Sequence, residues 1–117
     1  MWGDDRIELL RNAVLGVVRL ALGRSPRRRV TRLEVVPSWP IGLDRQLVRV
    51  VNEALHYLYT QRSAAVGLVV RGGRAVLELS LLPVDWTPEL EIKAATFHAL
   101  GTRRRRGRLA AVLTLDV

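Results

Sequence analysis

Hydrophobic and polar positions along the chain follow two periods, one helical and one of strands. Over residues 5–22, Ile7, Leu10, Val14, Val17, Val18 and Ala21 recur at helical spacing, while Glu8, Asn12 and Arg19 fall on the other side. The pattern predicts a first helix with Asp4 as its N-cap, because a carboxylate there accepts an amide hydrogen bond that the first turn leaves open. Gly23 supplies the stop. A basic stretch follows, and within and after it residues 30–36 read as a strand. Pro37, Trp39 and Pro40 then mark a loop.

The second helical pattern is the strongest in the chain. Leu47, Val51, Ala54, Leu55 and Leu58 make one apolar face, with Arg45, Arg49, Asn52, His56 and Tyr59 opposite. Asp44 is the expected N-cap, and Leu43 with Val48 the expected hydrophobic staple. A hairpin comes next: residues 64–70 and 75–82 flank Arg71-Gly72-Gly73-Arg74, and the glycine pair suits the positive φ angles of a two-residue turn. In its second arm Ala75, Leu77, Leu79 and Leu81 alternate with polar residues, so one face is buried. A loop with proline and tryptophan covers residues 83–88. Two strands, 91–100 and 108–117, close the chain around a basic turn at 102–107. The fold expected is α+β: a single domain over residues 1–117, with two helices packed on one face of an antiparallel β-sheet of about five strands.

The last hairpin carries the candidate chemistry. Leu109, Ala111, Leu113, Leu115 and Val117 share one parity and are expected to face the helices, which puts Asp116 on the open face. If Ile92, Ala94, Thr96, His98 and Leu100 join the core, Lys93 falls opposite Asp116. Glu91, Lys93 and Asp116 are then neighbours on the open face. This register leaves Phe97 there without a partner. The plain reading of the cluster is a cross-strand ion pair, which contributes about 1 kcal/mol at most when exposed. The functional reading adds the terminal carboxylate of Val117, since crowded carboxylates offer oxygen ligands to a hard divalent cation.

Composition sharpens this picture in three ways. The net charge is +8, and Lys93 is the only lysine among 19 basic residues, so its position stands out. A basic chain attracts polyanions, and Arg103, Arg104, Arg105 and Arg106 at a hairpin tip, with Arg27, Arg28 and Arg29 elsewhere, are candidate phosphate contacts. With Phe97 the only phenylalanine, the sheet offers no aromatic platform for stacked bases. There is no cysteine, which excludes disulfides and thiolate metal sites. The acidic start and the absence of a membrane-length apolar run point to a cytoplasmic protein. His56 and His98 belong to different contexts with no motif joining them to a nucleophile, so an independent hydrolase is weakly supported.

The run Glu91-Ile92-Lys93-Ala94-Ala95-Thr96-Phe97-His98 resembles the signature of the archease family, a Lys-Ala-x-Thr-(Tyr/Phe)-His run before the last hairpin. The ending Asp116-Val117 is similar to the family's terminal Asp and aliphatic residue. Val51-Asn52-Glu53-Ala54-Leu55-His56-Tyr57-Leu58 is similar to its Leu-Asn-Glu-Leu-Leu-Tyr helix segment. The resemblance covers nearly the whole chain. It implies an accessory protein, not an enzyme, that promotes guanylylation and multiple turnover of an RtcB-type RNA ligase in tRNA splicing. It implies functional roles for Lys93 and Asp116, a divalent metal such as calcium at Asp116 and Val117, and weaker roles for Asn52, Glu53 and Glu91. Archeases begin with a strand bearing a His-x-Ala-Asp-like motif whose aspartate is a metal ligand. This chain is expected to start at its first helix without that strand, which leaves a sheet edge open for a homodimer. The alternative reading is a basic RNA-binding module, with tRNA touched by the Arg-rich loops and no ligase activated.

Overall fold

A computed structural model of the chain describes residues 2–3, 5–96, 103–105, 108–110 and 114–116. Its elements in order are β1 (Trp2–Gly3), α1 (Arg6–Leu22), β2 (Arg32–Val35), α2 (Leu43–Gln61), β3 (Ser63–Arg71), β4 (Arg74–Leu81), β5 (Ala94–Thr96), β6 (Arg103–Arg105), β7 (Arg108–Ala110) and β8 (Thr114–Asp116).

Helix α1 forms where its pattern places it, but Asp5, not Asp4, is the N-cap. Its extended backbone lets the carboxylate accept from the Glu8 amide at 2.7 Å. The helix ends at Gly23, whose φ of 76° satisfies the last turn by donating its amide to the Arg19 carbonyl. Ile7 stays 40% exposed, while Leu9, Ala13 and Leu22 join the predicted core face. Helix α2 starts two residues earlier than expected, after Gly42 at φ 100°, which makes no side-chain cap. Asp44 therefore lies in the first turn, where a carboxylate favours the helix dipole. All five predicted apolar positions of α2 are buried, with Val50 added.

The β3–β4 hairpin turns as expected. Arg71 pairs with Arg74 across Gly72 and Gly73, at φ 56° and 74°. A register shift between Ala65 and Gly67 puts a bulge in β3. Strand β4 is central in the order β2-β4-β3, with both neighbours antiparallel. Ala75, Leu77 and Leu79 are fully buried against the helices, whereas Leu81, expected inside, is 61% exposed at the strand's end. The buried residues of α1, α2, β3 and β4 form one core that also takes in Ile92 and Ala95.

The expected single sheet of about five strands is replaced, among the described residues, by shorter ladders: β2-β4-β3, β1-β7-β6 and β5-β8. The class, α+β with two helices on an antiparallel sheet, holds. A strand does precede α1, contrary to expectation. Trp2 pairs with Ala110 and Gly3 with Leu109, so β1 covers one edge of β7. Arg103, Arg104 and Arg105 lie in strand β6, paired to β7, and not in a turn. Arg106, Phe97, His98, Leu100 and Val117 lie outside the described residues. Among the described residues no helix is long and apolar enough to cross a membrane.

Candidate functional site: a lysine between two helix clasps

Helix α2 holds the segment before β5 with two side chains. The Tyr59 hydroxyl donates to the Leu90 carbonyl at 2.7 Å and accepts from the Ile92 amide at 2.9 Å. Seven residues earlier on the helix, Asn52 Nδ2 donates to the Ala95 carbonyl at 3.1 Å. The Ala95 amide donates back to Asn52 Oδ1 at 2.7 Å. Two helical turns span about 10.5 Å, and three extended residues span about 10 Å, so Ile92 and Ala95 match the spacing of Tyr59 and Asn52. The segment runs antiparallel to the helix. Each clasp satisfies one backbone amide and one carbonyl, Tyr59 in the segment before β5 and Asn52 within β5.

Lys93 sits between the clasps. Ile92 before it is buried, while Glu91 and Lys93 are exposed, so both project from the anchored segment on the solvent side. The segment is tied further back as well: the Glu89 and Leu90 amides donate to the Ala21 carbonyl at 2.8 and 3.1 Å, at the C-terminal end of α1. The lone lysine of the chain is thus carried on backbone fixed to both helices.

The register differs by one residue from the expected one. Ala94, not Lys93, pairs with Asp116; Ala95 pairs with Leu115 and Thr96 with Thr114. Strand pairing begins only at Ala94, and the buried positions are Ile92 and Ala95, three apart instead of two. The irregular step between them lets Lys93 stay in solvent although the ladder has slipped. Lys93 and Asp116 end one register position apart. Asn52, read as a weaker candidate on a solvent-facing stripe, is the residue that docks β5 on the helix. Its pairing with a backbone amide and carbonyl together left no mark in the hydrophobic pattern.

Beside Asn52, the outer side of α2 and the loop from Pro37 to Pro40 enclose an open groove of about 1110 Å³. Arg45 and Arg49 line one part, Glu53, His56 and Tyr57 the other. His56 is exposed and meets Tyr57 edge-on, with ring centroids 5.4 Å apart. The Tyr57 hydroxyl is pushed above its ordinary pKa, chiefly by burial and then by the nearby charges of Glu34 and Glu53, against a smaller opposite pull from Arg32. Arg32 lies over the Tyr57 ring at 5.5 Å and pairs with Glu34 at 3.0 Å.

No three His, Cys, Asp or Glu side chains among the described residues are placed to hold a metal ion. Val117 and the side chain of Asp116, where the divalent cation is expected, lie outside the described residues.

No curated protein matches the chain. Among solved structures, an archease from Thermotoga maritima, described as a possible chaperone, is similar to it: TM-score 0.73 and 18% identity, over 100% of this chain and 87% of that one. That likeness shows the fold. The Archease protein family matches from residue 1 to residue 117. With the whole chain matched, the protein belongs to the archease family.

Proposed function

We propose that this protein is an accessory factor that promotes guanylylation and multiple turnover of an RtcB-type RNA ligase in tRNA splicing or RNA repair, with no catalytic cycle of its own. The observation that carries the reading is the presentation of Lys93. It is the only lysine of the chain, it is exposed, and Tyr59 and Asn52 anchor the backbone on either side of it. Family membership and the likeness to an archease described as a possible chaperone support a role exercised on a partner protein.

In this reading the ammonium of Lys93 docks near the ligase's nucleotide pocket, where a compact positive charge stabilises phosphate oxygens during guanylyl transfer. Anchoring matters because a group held in place loses less freedom on docking. Asp116, one register position away, is the proposed partner of Lys93 in this role. Glu91 projects from the same segment. The groove beside Asn52 and Glu53 offers the ligase an adjoining surface.

The test is ligase guanylylation followed with radiolabelled GTP, with this protein and with its Lys93→Ala variant. Stimulation lost in the variant at unchanged thermal stability supports the reading. Stimulation retained by Lys93→Ala contradicts it.

A further inference from the structure

The geometry points to a single-stranded polynucleotide as the ligand of a second surface, formed by the arm between α1 and β2 and the loop that follows β4. Arg27, Arg28 and Arg29 are exposed on this arm, and none has a carboxylate partner among the described residues. Three unpaired guanidinium groups in succession are a phosphate-binding footprint.

The loop after β4 gives that footprint an apolar side. Val84 is 97% exposed and Leu81 61%. Neither is on a loose tip, because the Arg62 guanidinium donates to the carbonyls of Pro83, Val84 and Trp86 at 2.7, 3.2 and 2.8 Å. Arg24, at the start of the arm, stacks its guanidinium on the Trp86 ring at 4.0 Å. Between arm and loop lies a hollow of about 360 Å³ lined by Arg27, Arg29, Leu81, Val84 and Trp86.

Charge and apolar surface together choose the ligand. A duplex offers mainly its phosphates to such a site, with its base faces stacked inside. A single strand offers phosphates to Arg27 and Arg29 and bare base faces to the Arg24–Trp86 stack and Val84. The chain's excess of +8 favours a polyanion over an isolated phosphate. Trp86 lies seven residues before Lys93 in the chain, hence within about 25 Å of it. It does not rest on the ligase reading.

Fluorescence anisotropy with labelled 12-residue RNA and DNA strands, their duplexes and a polyglutamate peptide tests the inference. The single strands are expected to bind at low salt more tightly than duplex and polyglutamate, and the RNA and DNA arms show which sugar the site favours. Replacing Arg27, Arg28 and Arg29 by alanine together should weaken single-strand binding at least tenfold. The salt slope should flatten by about 1.4, from the two contacts of Arg27 and Arg29 at about 0.7 each. Trp86→Leu should weaken single-strand binding several-fold without changing the slope, and Lys93→Ala should leave it within twofold. Single-strand binding within twofold of wild type in the arginine variant overturns the proposal. So does polyglutamate binding as tightly as RNA, which identifies an acidic protein face as the ligand.

Discussion

Asn52 gives both halves of its carboxamide to one residue, Ala95, and Tyr59 gives one hydroxyl to two. Removing either side chain leaves an amide and a carbonyl without partners at a half-buried helix–strand junction. Asn52→Ala and Tyr59→Phe should each destabilise the protein by about 1–3 kcal/mol, read by urea unfolding. Each should also lower ligase stimulation more than its loss of folded protein explains, because Lys93 loses an anchor. A change under about 0.5 kcal/mol in both would mean the clasps do not hold the segment. Tyr57 makes a different prediction. Its folded-state pKa is raised above the ordinary 10.0, so between the unfolded and folded values the folded state keeps a proton that the unfolded state has released. Stability should be unaffected by this group below pH 10 and fall as pH rises above it. Tyr57→Phe should flatten that fall in unfolding curves taken from pH 9 to 11.

At the scale of elements, both helices were legible because an apolar face repeated over four or five turns is a strong signal. The β3–β4 hairpin was legible because Gly72-Gly73 names its own turn. Helix ends were less so: adjacent Asp4 and Asp5 compete for one cap, and backbone geometry selects Asp5. Asp5→Ala should cost about 0.5–2 kcal/mol in thermal unfolding, as loss of a helix cap does, and Asp5→Asn far less. The last hairpin was misread by one residue. A two-residue period assumes a regular strand, but Ile92 and Ala95 are both drawn inward by clasps on α2, three residues apart. That long-range hydrogen bonding has no periodic trace in a sequence. Lys93 was still placed on the solvent side, because an unpaired ammonium is costly to bury in either register. The two-residue β1 was missed because Trp2–Gly3 is too short to show alternation.

For the molecule as a whole, the two helices act as a rigid back for a small set of exposed groups. The segment from Trp86 to Ala95 is tied to Arg62 at one end, to the end of α1 in the middle and to α2 at the other. It carries both the Arg24–Trp86 stack and Lys93, so the basic arm and the lysine are presented from one anchored strip. The family match over the full chain gives this arrangement its context, and the ligase reading gives it a use. The most direct test is multiple turnover of RNA ligation by the host's RtcB-type ligase with GTP and metal, with and without this protein. Repeated turnover is expected only when the protein is present, reduced at least tenfold by Lys93→Ala or Asp116→Ala in folded variants. Turnover that is the same with wild type, variant or no added protein would contradict the ligase reading.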